Sequence, residues 1–415
     1  MPTPDTLLPP HRVDYPGYLD QDGYLALHYA AADRDRAQRA LLATPLTGLG
    51  GAHFPFARKV ESALATAGPR VVVCNAAEDE PGSRKDRALL LGNPHVVLEG
   101  VLIAAITLDA RDVVLYVSDT AQEECDSITR AVDEVRQRFP FVAVRIVRAD
   151  PRYVSGEATA AVDAINGGDG RPTGQPPFPT ESGVAGLPTL VANCETLANL
   201  PRIVRAAWDE RPATWTRLAT VSGDVTAPGV FEIDPGTDTF NDLFARAGGL
   251  TGSGHLKAFQ PGGPSTRFLP ADSADIPIAD TAIRAAGSQP GCLAVRVLAT
   301  DTCIVEICEE ITGFFSREQC GQCPPCRMKT QTYHRTLQQV LRQKGPDDLL
   351  GRLGVVDEFV ADMPRKCSLI DMPTPPVESA RSLFPEDFSS HTEYGTCAHA
   401  EPLISSQIGA PHHGQ

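Results

Sequence analysis

A chain of 415 residues, 42% hydrophobic and 21% charged, is long enough for two to four domains and has the balance of a globular protein. Its net charge of -15 argues against nonspecific nucleic-acid binding, and no apolar run approaches the roughly 18 residues that would span a membrane. The start, MPTPDTLLPPHRVDYPGY, has neither a cationic beginning nor an apolar core, so no secretory signal is expected; with an odd count of 11 cysteines, this points to a reducing cytoplasm.

In chain order, residues 1–40 read as a polar N-terminal arm with a short amphipathic helix. GLGGAHFPFARKVESALA follows, a glycine-rich turn opening into a helix. RVVVCN is the apolar run of a buried strand and EDEPGS its turn; HVVLEGVLIAAITL reads as a buried helix, and DVVLYVS and VAVRIVRA as further buried strands. Strands alternating with helices imply an α/β sheet covered on both faces. YVSGEATAAVDAINGGDGRPTGQPPFPTESG is a glycine- and proline-rich loop region, a type that often carries function. LPTLVANCETLANLPRIVRAA returns to strand and then helix. Near Thr214 the texture turns to short strands, tight turns and one short helix, the look of a small β-grasp module. Beyond about Thr312 it is helical apart from a cysteine loop. The expected boundaries are an arm at 1–40, an α/β domain at 41–212, a β-grasp domain at 213–300, a helical domain at 301–390 and a tail at 391–415.

The cysteines divide into singles and a cluster. Cys74, Cys125, Cys194 and Cys292 are scattered, Cys303 and Cys308 sit in an apolar segment and read as small core residues, and Cys397 lies in the polar tail. In EQCGQCPPCRMKT, two CxxC steps run back to back through Cys320, Cys323 and Cys326. Three thiolates leave a cubane one ligand short. The next cysteine, Cys367, lies beyond a helix-rich segment that can carry the chain out and back, so four thiolates can hold one [4Fe–4S] cluster. A structural zinc site with four cysteine ligands competes, but zinc sites usually pair two separated CxxC units, and three cysteines in one run suit a cube better. Arg327 and Lys329 either offset the charge of the site or are solvated helix-start residues. The glycines Gly48, Gly50 and Gly51 let backbone amides approach a phosphate, though without dinucleotide spacing; a tight turn explains them equally well.

Taken in order, the segments GLGGAHFP, CNAAEDEPGSRKDR, YVSGEATA, PPFPTESGVAGLPTLVANCETLANL, SGDVTAPG, PGGPSTRFL, CGQCPPCR and the lone Cys367 resemble a known family. It is the flavoprotein, NADH-oxidising subunit of respiratory complex I, with the related diaphorase subunits of NAD-linked hydrogenases and formate dehydrogenases. The resemblance implies a Rossmann-like FMN-binding α/β domain, a β-grasp domain of the soluble-ligand-binding type and a C-terminal helical bundle with a [4Fe–4S] cluster. It implies that a hydride from NADH reduces FMN, which passes electrons singly to the cluster. By position, Gly48, Gly50, Gly51 and Lys59 fall at the flavin phosphate and nearby. Asn75, Glu78 and Glu80 match the loop beside flavin and nicotinamide, Tyr153, Gly156 and Glu157 the loop YxCGEE, and Asn193 and Thr196 the segment NNVET. Glu78, Glu80 and Tyr153 are the residues expected at the reacting end.

The departures fall together. Leu49 replaces an arginine and His53 a glycine of the family turn; Ala77, Asp79, Ala158, Gln175 and Ala192 replace an aspartate, a serine, a glutamate, a lysine and an asparagine. Several lie where the family meets the nicotinamide nucleotide, whereas all four cluster ligands are kept. The lost lysine at Gln175 alone removes a charge-assisted hydrogen bond worth on the order of 1.5–3 kcal/mol, so NADH is expected to be a poorer donor than in relatives, or to have been replaced. The expected function is transfer of electrons from a two-electron donor, NAD(P)H, through FMN and the cluster to a ferredoxin or a partner subunit. The alternative is an FMN and iron–sulfur enzyme acting on a small organic substrate in place of NADH. A hetero- or homo-oligomer is compatible with both.

Overall fold

The computed structural model describes residues 6–140, 142–342 and 349–394. The chain divides into two compact units: residues 1–79, 83–219 and 230–235 form the first, and 80–82, 220–229 and 236–415 the second. The expected tail and Cys397 lie largely outside the described residues.

The first unit opens with three helices, α1 (Tyr15–Leu19), α2 (Leu25–Ala32) and α3 (Arg34–Ala43), where the sequence suggested a polar arm with one short helix. Tyr18, Tyr24, Ala26, Leu27 and Ala30 are buried, because the tyrosines and α2 meet a partner far along the chain. The buried Glu99 accepts hydrogen bonds from Tyr18 Oη at 2.5 Å, Tyr24 N at 3.0 Å and Leu27 N at 3.1 Å. Next come α4 (Phe56–Ala65), β1 (Arg70–Ala76), α5 (Lys85–Gly92), α6 (Pro94–Leu108), β2 (Ala110–Ser118), α7 (Gln122–Val135), β3 (Ala143–Ala149), α8 (Ala158–Ile165), β4 (Thr189–Asn193), α9 (Cys194–Ala198) and α10 (Leu200–Trp208).

The four strands form a parallel sheet in the order β3-β2-β1-β4. The continuous apolar runs of RVVVCN and DVVLYVS follow from burial on both faces. Val72, Cys74, Val113 and Leu115 pack into the large core with α6, while Val71, Val73, Val114 and Tyr116 pack on the other face with Ala161 and Val162 of α8. Helix α6 starts with a proline in its first turn and stops at Asp109 in the left-handed region, φ 53°. Among the described residues no single helix is long and apolar enough to cross a membrane; α5 and α6 pass by length and composition only as a pair bent by 99°, and α6 is a core helix.

The second unit holds most of a five-stranded mixed sheet in the order β6-β5-β9-β7-β8, made of β5 (Arg217–Gly223), β6 (Gly229–Ile233), β7 (Leu256–Gln260), β8 (Leu269–Pro270) and β9 (Ala294–Ala299). Helix α11 (Phe240–Arg246), capped reciprocally by Thr239 and Asp242, sets Phe240 and Phe244 against Phe259. This is the β-grasp pattern of short strands around one helix. After α12 (Asp280–Ala285) come the helices α13 (Ile304–Glu318), α14 (Pro324–Arg342), α15 (Gly351–Val360), α16 (Thr374–Leu383) and α17 (Pro385–Tyr394). Cys303 and Cys308 are buried core thiols, as their apolar segment implied. Lys257 of β7 and Asp387 of α17 form a buried ion pair at 2.5 Å.

Candidate functional site

In the strand order β3-β2-β1-β4 the chain runs from β1 through β2 to β3 on one side and returns to set β4 on the other side of β1. In open α/β sheets, ligands bind outside the carboxyl ends of the strands at such a switch point. Asn75 and Asn193 are the last pair of the β1–β4 ladder and stand opposite each other there.

Three loops meet this pair. The glycine-rich turn is closed by an antiparallel bridge between Thr47 and Pro55 and by hydrogen bonds from Gly48 N to Phe54 O and Phe56 N to Leu46 O, each 2.9 Å. Leu49 N donates to Thr196 Oγ1 at 2.8 Å, so the buried Thr196 anchors the turn from α9. A Cβ on Gly50 would stand 2.9 Å from Asn193 Cβ, so the turn comes this close only because residue 50 lacks a side chain. His53 is buried with φ 51°, a conformation that histidine tolerates better than most residues, and its Nδ1 lies 3.4 Å from Thr47 Oγ1.

The loop after β1 is cinched to the loop before α8. Asn75 Nδ2 donates to Gly156 O at 2.8 Å, Ala77 N to Asn75 Oδ1 at 3.2 Å, and a Cβ on Gly156 would lie 3.1 Å from Ala77 O. Glu78 is buried and caps α5: Oε1 accepts from Ser83 Oγ at 2.5 Å and Asp86 N at 3.1 Å, and Oε2 from Arg87 N at 3.0 Å. Burial raises its pKa, and Asp86 adds to the rise against the opposing charge of Lys85. Glu157 caps α8 through Thr159 N at 2.9 Å and Ala160 N at 3.0 Å. Tyr153, half-buried, opens the 3-10 turn Tyr153–Gly156. Lys59 reaches from α4 to Val191 O at 3.1 Å, and burial lowers its pKa. Gly48, Gly50, Gly51, Lys59, Asn75, Glu78, Tyr153, Gly156, Glu157, Asn193 and Thr196 thus all belong to the first unit, whereas Glu80 belongs to the second, where a Cβ on Gly263 would come within 2.5 Å of its Oε1.

Behind Asn193 lies a charged network that the sequence motifs do not announce. Lys85 Nζ lies 2.7 Å from Asp86 Oδ1 and 2.9 Å from Glu195 Oε2, with all three residues buried. Burial opposes the charge on Lys85, but Asp86, Glu195 and Glu78 outweigh it and raise its pKa well above the ordinary value. The signal was present in the sequence: Lys85 and Asp86 open a helix that is apolar after Arg87, and Glu195 lies two residues past a buried strand.

In the second unit, the loop from Cys320 leads straight into α14. Gly321 has φ 82°, Gly321 N donates to Gln319 Oε1 at 2.9 Å, and Arg327 N donates to Cys323 O at 3.1 Å. Cys326 lies in the first turn of α14 and is buried; Cys320, Cys323 and Cys367 are half-buried. Cys367 immediately precedes the 3-10 turn Ser368–Asp371, which packs on α14. Burial pushes the Cys326 thiol up to about 12, and the thiols of Cys367, Cys323 and Cys320 push the same way. Among the described residues no three His, Cys, Asp or Glu side chains are set to hold a single metal ion. The four thiols are close enough for Cys367, Cys323 and Cys320 to act on Cys326, and a cube ligated at four separate irons takes one thiolate at each corner. Lys329 is buried and paired with Asp357 at 2.8 Å, while Arg327 is exposed.

Comparison with known proteins agrees with this division. Residues 43–202 match the Nuo51 FMN-binding domain, 218–269 the SLBB domain, and 306–391 the iron–sulfur binding region of NADH-ubiquinone oxidoreductase-F. The NADH-quinone oxidoreductase F subunit of Mycobacterium tuberculosis (strain ATCC 25618 / H37Rv) is 31% identical over 91% of this chain and 93% of its own length. Its counterpart in Aquifex aeolicus (strain VF5) is 30% identical over 80% of each. Among solved structures, a chain of NAD+-reducing [NiFe]-hydrogenase in the H2-reduced state superposes with a TM-score of 0.80 at 29% identity, covering 92% of this chain and 68% of that one. With the Asn75–Asn193 pair at the switch point, a glycine turn and four thiols in the matching segments, the chain belongs to the family of NADH-quinone oxidoreductase F subunits.

Proposed function

We propose that the chain is the NADH-oxidising subunit of a larger redox complex, taking electrons from NADH (NADH → NAD+ + H+ + 2e−) and delivering them singly to a ferredoxin or a partner subunit. It is an FMN- and iron–sulfur-dependent oxidoreductase with FMN and a [4Fe–4S] cluster as cofactors. The observation that carries the reading is the pairing of Asn75 with Asn193 at the carboxyl ends of β1 and β4, backed by a glycine turn that admits no side chain at residue 50. The names of the relatives support the donor: quinone oxidoreductase and hydrogenase differ in one redox partner and share NAD(H) as the other.

FMN supplies the conversion of one two-electron step into two one-electron steps, and the cluster carries single electrons. The protein supplies position and electrostatics. The Gly48–Gly51 turn offers backbone to the flavin phosphate with Lys59 nearby, and Asn75, Gly156, Glu157, Asn193 and Thr196 shape the pocket. Glu78, Glu80 and Tyr153 are assigned to the reacting end. Cys320, Cys323, Cys326 and Cys367 hold the cluster. Hydride transfer needs no protein base, so no residue is assigned that role.

The test is anaerobic stopped-flow on the purified protein with NADH and NADPH, following flavin and cluster absorbance. Bleaching of both chromophores by NADH is expected. Reduction by dithionite but by neither nucleotide would overturn NAD(P)H as donor.

A further inference from the structure

We propose that Lys85 and Asp86 are positioning residues for the flavin cradle, acting through the side chain of Asn193; this rests on the FMN reading above. The amide of Asn193 has two acceptor sites and two donor hydrogens, and all four are used. Its Oδ1 accepts from Lys85 Nζ at 3.1 Å and Glu195 N at 3.0 Å, and its Nδ2 donates to Asp86 Oδ2 at 2.6 Å and Asn75 O at 3.4 Å.

Two consequences follow from the charges behind it. A flipped amide would set its NH2 group against the Lys85 ammonium and its carbonyl against the Asp86 carboxylate. Lys85 and Asp86 are only 1% and 3% exposed, so water cannot soften that mismatch. The ion pair therefore selects one orientation of Asn193. With its hydrogen bonds spent inward, Asn193 offers the cofactor a fixed wall rather than an amide contact, and the backbone of Gly50 rests on that wall. Lys85 and Asp86, buried behind it, shape the cradle without touching what it holds. Asn75, cinched to Gly156, is tied into the same frame through its carbonyl.

The test uses the full-length protein after flavin removal, with FMN affinity read from quenching of flavin fluorescence and iron content as the check on the rest of the chain. Asp86→Asn keeps the volume and leaves Lys85 paired with Glu195, but an amide at 86 no longer dictates the orientation of Asn193. The FMN Kd should rise roughly tenfold, the scale of one charge-assisted hydrogen bond. Asn193→Ala should cause a loss of its own, and the double variant should bind no worse than Asn193→Ala alone. Lys85→Arg, which keeps the charge but replaces a compact ammonium with a planar fork, carries the same test if Asp86→Asn does not fold; its loss should likewise vanish in the Asn193→Ala background. An unchanged Kd in the foldable variant, or losses that add, would overturn the proposal. An unmodified protein that takes up FAD or no flavin would instead overturn the FMN reading on which it rests.

Discussion

The backbone of Gly50 rests on the side chain of Asn193: a Cβ at residue 50 would stand 2.9 Å from Asn193 Cβ, inside any tolerable contact. Asn193 cannot give way, because both ends of its amide are bonded. Gly50→Val must therefore displace the turn by the cost of overpacking, about 1–3 kcal/mol. FMN affinity should fall by about ten- to a hundredfold. Titration of the deflavinated variant with FMN checks this, and an affinity matching the parent would show that the turn is not the cofactor cradle.

The cluster is expected to depend on Cys367 and the flavin not to. The cofactor residues assigned to FMN lie in the first unit, and the four thiols in the second. Purified anaerobically, the protein should carry close to four iron per chain, as one [4Fe–4S] cluster requires. Cys367→Ser should lower that figure sharply while FMN is still released on denaturation. Stoichiometric zinc without iron would refute the cluster assignment.

His95 gives the N-terminal helices a pH dependence. Burial lowers its pKa to about 4, Arg12 pushes the same way and Asp14 opposes. Glu134, 3.1 Å from Nε2, would favour the charged ring, but it is 36% exposed and its pull is screened by water. Tyr24 Oη lies 2.8 Å from Nδ1. The folded protein thus holds His95 neutral, whereas the unfolded chain protonates it near 6.5. The stabilisation is complete above pH 6.5 and is lost as pH falls toward 4. Glu99, whose pKa burial raises, works in the opposite sense, so the informative quantity is a difference. The melting temperature of the parent should fall more steeply between pH 6.5 and 4 than that of His95→Asn. Parallel curves would show that His95 does not contribute.

The parts of this protein legible in its sequence are those where neighbours in sequence are neighbours in function. RVVVCN and DVVLYVS announce a doubly covered sheet because nearly every residue in them is apolar, and three cysteines in one short run announce the cluster loop. Contacts made across the chain were not legible. Lys85 and Asn193 lie 108 positions apart, and Tyr18 and Glu99 lie 81 apart. Asn193 was legible as a site residue and Glu99 as part of a buried helix, but not the partners that the fold gives them. The N-terminal helices looked like a polar arm for the same reason: their buried partner is α6. Glu78 and Glu157 were legible as loop acids, but their capping of α5 and α8 emerged only with the helices themselves.

Gln175 offers the sharpest test of the donor site. The resemblance implies a lysine just before PPFP in the family, and its replacement by Gln175 was expected to weaken NADH binding by one charge-assisted hydrogen bond. Gln175 is exposed, which lowers that expectation: a cation there would meet a phosphate in a well-screened setting, worth about 0.2–1 kcal/mol. Gln175→Lys should therefore strengthen NADH binding by only about two- to fivefold, and most clearly at low salt. The flavin potential should not move, because the substitution lies outside the buried network around Asn193. Rapid-mixing experiments with NADH over a range of concentrations and ionic strengths would show a lower half-saturation with an unchanged limiting rate. An improvement that persisted at high salt would indicate a direct, desolvated contact. No improvement at any salt would mean that residue 175 does not meet the nucleotide in this chain.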